Sequence, residues 1–152
     1  MAKVHFFYST MNAGKSTALL QSAHNYHETG NETILFIPRE DAEKNSGLIK
    51  SRIGLSASAI VIDSKLKIFE YVQKEVVKRQ IDAILVDEAQ FLKKYHVLQM
   101  CKICDELEIP VMCYGIRTDF RGELFEGSGS LLALADNLIA VSYTHLTLPT
   151  IE

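Results

Sequence analysis

The stretch FFYSTMNAGKST, residues 6–17, ends in Gly-Lys-Ser-Thr near the start of the chain. In a phosphate-binding loop, backbone N–H groups surround the phosphate oxygens, and the following helix directs its positive end at them. Lys15 would contact the terminal phosphates, and the Ser16 hydroxyl would help to hold Mg²⁺. The usual first glycine of the pattern is Ser9 here, and a helix start without a ligand is the alternative. The candidate phosphate-binding residues are Ser9, Thr10, Met11, Asn12, Ala13, Gly14, Lys15, Ser16 and Thr17.

A second motif, ILVDEAQF at residues 84–91, places two acids after an apolar strand. Asp87 has the position of a Walker B aspartate, which holds the Mg²⁺ shell from across the site. Glu88 is one residue further, so in an extended chain its side chain points to the opposite side. Glu88 is then available as a general base on a hydroxyl or on water. A strand that ends in surface acids is the alternative, but the two motifs together predict a P-loop nucleotide-binding protein.

Aromatic and thioether side chains occur in the loops that follow the predicted strands. Such side chains beside a phosphate donor indicate a flat apolar ligand such as a nucleobase, although they could equally be minor core residues. Arg117 and Arg121 flank one of these aromatic residues and could place a guanidinium near the transferred phosphoryl group, or could be solvated loop charges. The aromatic and thioether candidates are Met11, Phe91, Phe120 and Phe125.

The composition describes an ordinary globular domain. The chain has 152 residues, of which 47% are apolar and 23% charged, and this length is most simply one domain. A formal net charge of -3 predicts no stable nucleic-acid partner. The sequence has neither a membrane-length apolar run nor the layout of a signal peptide, so we expect a cytoplasmic protein.

Cys101 and Cys104 form a CKIC pair that could bind zinc or act in redox chemistry. The surrounding residues have helical periodicity, and no second Cys or His pair completes four ligands. We therefore expect two ordinary helix residues and place Cys113 in a buried strand, with no zinc site assigned. Three cysteines without an export signal indicate reduced thiols.

Apolar strands alternate with helices along the chain, which predicts an α/β domain with a mainly parallel sheet covered on both sides. In such sheets, ligands bind at the carboxyl ends of the strands, where both motifs and the aromatic candidates lie. Ser64 is the expected N-cap of the second helix. The predicted strands are residues 3–9, 33–38, 59–63, 81–91 and 109–115; the helices are 15–30, 64–79 and 95–108; and the long loops are 39–58 and 116–130.

Four segments in order resemble the cytosolic (type II) thymidine kinases of the bacterial and human cytosolic type, most closely the proteobacterial enzymes. The segments are YSTMNAGKSTALLQSAHNY, SRIGLS, ILVDEAQFL and IPVMCYGIRTDFRGELFEGS. The resemblance implies a RecA-like P-loop domain that transfers the γ-phosphate of Mg·ATP to the 5′-hydroxyl of thymidine or deoxyuridine, in nucleotide salvage for DNA synthesis. It also implies a homotetramer, feedback by the triphosphate product, and a serine at the start of the loop in the bacterial branch.

Site roles follow from the resemblance by motif position. It implies that Glu88 is the base that accepts the 5′-hydroxyl proton, and that Met11, Phe91, Phe120 and Phe125 line the nucleoside pocket. The family's Asp-x-Arg motif corresponds to Asp41-Ala42-Glu43 here, so the arginine is missing and Arg39 or Arg52 is a substitute candidate.

The C-terminal residues depart from the family. The resemblance implies a small zinc domain and a lasso loop that hydrogen-bonds thymine, and neither is present in this sequence. Residues 141–152 read VSYTHLTLPTIE, which resembles one reading frame of a transposase-type sequencing adaptor. We therefore expect a kinase domain at residues 1–140 and an artefactual or unstructured tail at 141–152. Without lasso contacts to thymine, we expect weak or absent thymidine phosphorylation.

Two other functions are compatible with the same sequence motifs. One is a RecA-like P-loop ATPase in which Glu88 orients water, and the other is a non-catalytic nucleotide-binding fragment.

Overall fold

The computed structural model describes residues 1–9, 15–39, 47–50, 56–119 and 121–141. Eight strands and four α-helices lie in these ranges. The strands are β1 (Val4–Ser9), β2 (Thr33–Pro38), β3 (Leu48–Lys50), β4 (Ser56–Ser58), β5 (Ile60–Ile62), β6 (Ala83–Val86), β7 (Val111–Ile116) and β8 (Asn137–Ala140). The helices are α1 (Lys15–Glu28), α2 (Ile68–Lys78), α3 (Lys94–Lys102) and α4 (Glu126–Leu134), with a 3₁₀ turn at Ala89–Phe91 and a π-helical turn at Ile103–Leu107.

Six of these strands form one sheet in the order β5-β2-β6-β7-β1-β8, and every neighbouring pair is parallel. The prediction of a mainly parallel sheet is therefore confirmed. β7 lies between β1, which precedes the glycine-containing loop, and β6, which precedes the two acids. The last residues of β1 and β7, Ser9 and Ile116, are paired in register. The carboxyl ends that carry the motifs therefore lie along one edge of the sheet.

Helices cover both faces of the sheet, because the central strands are apolar on both sides. On β6, Ile84 and Val86 pack in a core with α2, α3 and α4. Ala83 and Leu85 pack on the opposite face, in a second core with α1. All four residues are fully buried, which explains the unbroken apolar run in the sequence.

Part of the predicted long loop 39–58 is regular structure. β3 and β4 form an antiparallel pair in which Leu48 is opposite Ser58. Ile49 is buried with Leu19 and Leu20 of α1, and Ala57 of β4 packs against the same cluster, so these two side chains attach the pair to the domain. The few apolar residues of this segment have no clear period, which is why the sequence indicated a loop. Residues 40–46 and 51–55 lie outside the described ranges.

Strand β8 was not predicted, and the helix α4 begins inside the predicted loop 116–130. Asp136 holds β8 beside β1: its carboxylate accepts a hydrogen bond from Val4 N at 2.9 Å, and its own N–H donates to Val4 O at 2.8 Å. The backbone continues this ladder at Val141, which donates to Tyr8 O at 2.7 Å. The rest of the predicted tail, residues 142–152, lies outside the described residues.

The predicted N-cap of the second helix was wrong, whereas the predicted end of the third helix at Glu108 was confirmed. The N-cap of α2 is Lys67 rather than Ser64, and the preceding turn is held by Asp63, whose carboxylate accepts from the N–H groups of Lys65 and Leu66. An aspartate forms such a turn at least as readily as serine. The third helix changes to the π-helical turn after residue 102 and ends at Glu108, which has a left-handed backbone with φ 54°.

The cysteines lie on the helix and the buried strand to which the sequence assigned them. Cys101 is half-buried on α3, Cys104 is buried in the π-helical turn and Cys113 is buried on β7, and all three are free thiols. Burial raises the pKa of the Cys104 thiol to about 12. Within the described ranges, no cluster of three or more His, Cys, Asp or Glu side chains is arranged to hold a metal ion. In those ranges, no helix is long and apolar enough to span a membrane.

Helix α4 packs backbone to backbone against the 3₁₀ turn that follows β6. A Cβ atom on Gly127 would lie 2.3 Å from the carbonyl oxygen of Ala89 and 2.9 Å from that of Gln90. Backbone atoms cannot move aside as the end of a flexible side chain does. Only glycine fits here, so Gly127 sets the distance between α4 and the turn.

Two valines on α2 test the packing of the larger core. Val72 is 0% exposed whereas Val77 is 85% exposed. We expect Val72→Ala to lower the free energy of unfolding by about 1–3 kcal/mol, since two buried carbons are removed and a cavity remains. Val77→Ala makes the same chemical change in the same helix and should have an effect below about 0.5 kcal/mol. Urea denaturation measures both, and equal losses would contradict this assignment of the core.

Two glycines on α4 test the close approach to the 3₁₀ turn. We expect Gly127→Ala to lower the free energy of unfolding by about 1–3 kcal/mol, because the new methyl group overlaps backbone atoms. Gly129→Ala is the control: its Cβ would meet only the Leu124 side chain at 3.1 Å, and Leu124 is exposed and can move. Alanine favours a helix over glycine by about 1 kcal/mol, so the control should be neutral or stabilising. Thermal unfolding that ranks the two variants in the opposite order would refute the close approach.

Candidate active site

Four polar side chains from the two motifs meet at the carboxyl edge of the sheet. Lys15 Nζ forms an ion pair with Glu88 Oε2 and lies 3.5 Å from Asp87 Oδ1. Ser16 Oγ donates a hydrogen bond to Asp87 Oδ2 at 2.9 Å. Lys15 and Asp87 are buried, and Glu88 is mostly buried. Residues more than 70 positions apart in sequence therefore form one charged network.

Backbone contacts place each of these groups. α1 begins at Lys15, and its first turn contains no acidic side chain that would neutralise the positive end of the helix. Asp87 extends the ladder between β6 and β2, because its N–H donates to Phe36 O at 3.0 Å. The P-loop helix and the acids thus face each other across the end of β7, as the strand order requires.

Glu88 does not point away from Asp87, contrary to the prediction from an extended chain. Its backbone is left-handed, with φ 51° and ψ 43°, so the strand has already ended at this residue. The turn is stabilised by Glu88 N, which donates to Asp87 Oδ1 at 2.9 Å. This conformation is costly for a residue with a Cβ, by about 1–3 kcal/mol, and such residues cluster at functional sites. As a result both carboxylates reach the same Lys15 ammonium.

The electrostatics of the network favour another cation. Two carboxylates face one ammonium in this network, so one negative charge among these three groups is uncompensated. Burial raises the pKa of Asp87 above its ordinary value, and this effect outweighs the opposing effect of Lys15. A positive charge added beside Asp87 would offset the cost of burying its carboxylate.

The donor set fits magnesium. Ser16 and Asp87 present a hydroxyl and a carboxylate, which are oxygen ligands of the kind that a hard divalent cation takes. Mg²⁺ in phosphoryl-transfer sites uses one or two protein oxygens and completes its shell with water and substrate phosphates. Two oxygen donors beside the first turn of a helix are therefore sufficient for such a site.

Ser9, in place of the usual glycine, is accommodated at the end of β1. Its side chain is 4% exposed, and its carbonyl oxygen accepts from Arg117 N at 3.1 Å. Its Oγ has no hydrogen-bond partner among the described residues. β1 therefore includes Ser9 and keeps its backbone hydrogen bond without a glycine at this position.

Two of the aromatic candidates lie against each other. The rings of Phe91 and Phe125 are 5.9 Å apart at an interplanar angle of 79°, an edge-to-face pair. Phe91 also lines a cavity of about 180 Å³ at the carboxyl ends of β2 and β5. The other residues that line this cavity are Pro38, Arg39, Ile62, Asp63, Ser64, Leu92, Lys93, Tyr95 and His96.

The two candidate arginines have partners of their own. Arg121 lies on an exposed turn, where its side chain is 3.4 Å from Asp119 Oδ2 and 3.9 Å from Glu123 Oε2. Hydrogen bonds from the N–H groups of Arg121 and Glu123 hold the pKa of Asp119 below its ordinary value. The Arg117 guanidinium lies over the ring of Tyr8, 5.2 Å from its centroid. A role for Arg121 in the transition state stays a prediction.

Several predicted site residues lie outside the described residues. They are Thr10, Met11, Asn12, Ala13 and Gly14 of the glycine-containing loop, Asp41 and Arg52 of the long loop, and Phe120. Their assignments stay predictions. Thr17 is described, as the third residue of α1.

Sequence reasoning missed Gln90. Its side chain is 3% exposed, and its Nε2 donates to Glu88 Oε1 at 2.6 Å. The available signal was a polar residue inside the motif DEAQF, between the second acid and an aromatic residue, in a segment that follows a buried strand. An amide at such a position must find buried partners.

Comparison with solved structures shows the fold. The chain is similar to a Pif1 helicase from Candida albicans, with a TM-score of 0.53 and 12% sequence identity, over 93% of this chain and 36% of that one. An identity this low relates the two only in the arrangement of strands and helices.

Comparison with protein families and curated relatives is more specific. A family model described as thymidine kinase matches residues 2–145. A thymidine kinase of Zymomonas mobilis is 51% identical over 141 residues, which are 93% of this chain and 73% of that protein. A thymidine kinase of Salmonella choleraesuis is 50% identical over 139 residues, 91% of this chain and 68% of that protein. With the motifs of the charged network inside the matched region, this chain belongs to the thymidine kinase family.

Proposed function

We propose that this chain is an ATP:thymidine 5′-phosphotransferase, which moves the γ-phosphoryl group of ATP to the 5′-hydroxyl of thymidine or deoxyuridine. The observation that carries the proposal is the contact network of Lys15, Ser16, Asp87 and Glu88 in a chain of this family. A phosphate-directed cation, two oxygen donors for a metal and a separate carboxylate are the groups that phosphoryl transfer to a hydroxyl requires.

Lys15 and the positive end of α1 would bind the β- and γ-phosphates. Ser16 and Asp87 would hold Mg²⁺, which neutralises charge on the phosphate oxygens when it is bound. Phosphate oxygens and the Glu88 carboxylate compete for the same Lys15 ammonium. Binding of the triphosphate would therefore draw Lys15 away from Glu88 Oε2 and leave that oxygen available for a proton.

Glu88 would then act as the general base. The 5′-hydroxyl gives its proton to Glu88 as the bond from its oxygen to the γ-phosphorus forms. The bond between the γ-phosphorus and the bridging oxygen breaks, and ADP leaves with that electron pair. The left-handed backbone of Glu88 supports this role, because such costly backbone conformations cluster at active sites.

The nucleoside would bind beside the edge-to-face pair of Phe91 and Phe125, since Phe91 lies in the 3₁₀ turn that directly follows Glu88. The resemblance adds Met11, Asp41 and Phe120 to this pocket. Arg39, which follows β2 and lines the neighbouring cavity, is the described candidate for the missing Asp-x-Arg arginine. Apolar side chains on this surface would stack against the flat base of the nucleoside.

Replacing the proposed base tests its role. We expect Glu88→Gln to lower kcat for thymidine phosphorylation by about 10²- to 10⁴-fold, the usual contribution of a general base. Binding of Mg·ATP, measured by calorimetry, should persist because the phosphate contacts come from Lys15 and α1. Glu108→Gln is the matched control, since Glu108 is also a glutamate in the left-handed region but lies at the end of the π-helical turn. A kcat of Glu88→Gln equal to that of the control would disprove the assignment.

The identity of the acceptor is tested with paired nucleosides. We expect ADP to form from Mg·ATP in the presence of thymidine and not with 5′-deoxythymidine, which lacks the attacking hydroxyl. Chromatography should show one thymidine monophosphate per ADP, however slow the turnover. ADP formation that is indifferent to thymidine would instead identify an ATPase. Calorimetric binding of ATP without turnover would identify a nucleotide-binding fragment.

A further inference from the structure

Gln90 makes two hydrogen bonds that join the candidate base to the end of β7. Its Nε2 donates to Glu88 Oε1 at 2.6 Å, and its Oε1 accepts from Ile116 N at 3.2 Å. Gln90 lies in the 3₁₀ turn that follows the acid pair and is almost completely buried. One buried amide thus connects the carboxylate of Glu88 to the end of β7, inside the sheet.

The orientation of this amide follows from its partners. A backbone N–H can only donate, so the atom of Gln90 that faces Ile116 N must be the oxygen. The amide nitrogen then faces Glu88, where a carboxylate can only accept. A flipped side chain would lose both hydrogen bonds, which excludes the usual ambiguity of glutamine assignment.

The surrounding backbone is shaped to hold Gln90 in this place. A Cβ on Gly115 would lie 2.8 Å from Gln90 Oε1 and 3.0 Å from Gln90 N, so the strand passes directly against the amide. Gly127 allows α4 to close over the same turn. The carbonyl of Ile116 accepts a hydrogen bond from the buried Ser128 hydroxyl, so both polar groups of this strand residue are bound by side chains.

We propose that Gln90 is a positioning residue for Glu88, and this inference rests on the proposed function. Gln90 holds Glu88 Oε1, while Oε2 is the oxygen that pairs with Lys15. When phosphate draws Lys15 away, the hydrogen bond from Gln90 keeps the carboxylate in place. Oε2 is thereby directed at the acceptor hydroxyl instead of rotating toward solvent.

Matched substitutions separate positioning from general stability. Gln90→Met keeps an unbranched side chain but removes both hydrogen bonds. Gln99→Met is the control, because Gln99 Oε1 also accepts a backbone hydrogen bond, from Phe69 N at 3.0 Å, and Gln99 lies on α3 outside the acid pair. We expect Gln90→Met to lower kcat by roughly 10- to 100-fold, with KM for both substrates changed less than about threefold. Gln99→Met should leave kcat unchanged, and both variants should remain folded by circular dichroism.

A double-mutant cycle then tests whether Gln90 acts through Glu88. In a Glu88→Gln background, we expect Gln90→Met to change the residual rate by less than about twofold, since residues that act as a unit are not additive. The positioning role is overturned if the factors by which Glu88→Gln and Gln90→Met lower kcat multiply in the double variant. It is also overturned if Gln90→Met alone has the kcat of the unsubstituted protein.

A measurement without turnover distinguishes failure of this inference from failure of the proposed function. In ¹⁵N-labelled protein, the side-chain amide resonances of Gln90 are identified by their loss in Gln90→Met. We expect Glu88→Ala to shift them strongly and to leave those of Gln99 in place. If the unsubstituted protein phosphorylates no nucleoside but Glu88→Ala still shifts the Gln90 amide resonances, the proposed function is overturned and the contact between Gln90 and Glu88 is supported. Unshifted resonances overturn the inference even in an active enzyme.

Discussion

The ion pairs of Lys15 with Asp87 and Glu88 are the constraint on which the rest of this structure depends. They join Lys15, the first residue of α1, to the two acids that follow β6. In the sheet, β7 lies between β6 and β1, the strand that precedes α1. Burying two carboxylates and an ammonium is costly, and that cost is offset only when the three groups meet with good geometry. The register of β1 with β7 and of β7 with β6 is therefore a requirement of the site as well as of the core.

Close backbone packing supplies the precision that this charge network needs. The acid pair lies at a strand end, where the chain would otherwise be free to adopt several conformations. The 3₁₀ turn after it is held by β7 through the Gln90 amide, and by α4 through the contact at Gly127. Both contacts require glycine, at positions 115 and 127, because only a residue without a Cβ allows backbones to approach this closely. Rigid main chain thus orients Glu88, which itself has a strained conformation.

The sequence predicted the parallel α/β fold and the elements that carry the motifs, because those elements have strong local signals. Residues 33–38 were assigned with the bounds that the structure has, and Gly30, with φ 82°, ends α1 as expected. Weak local signals gave the errors. Ile49 and Ala57 attach a short strand pair to the core beside α1, and Asp136 holds β8 through hydrogen bonds with Val4, 132 positions away. Neither long-range contact leaves a periodic pattern in the sequence.

The sequence by itself determined the chemistry available to this protein. Lys15 and Ser16 in a glycine-containing loop, with Asp87 and Glu88 after an apolar strand, specify phosphate and metal chemistry, because charge and donor type are properties of single residues. The tertiary structure alone decided the geometry of that chemistry. It turned Glu88 onto the same side as Asp87, and it gave Gln90 its two partners. Side-chain direction depends on φ and on neighbours distant in sequence, and those are established only when the sheet and α4 pack together.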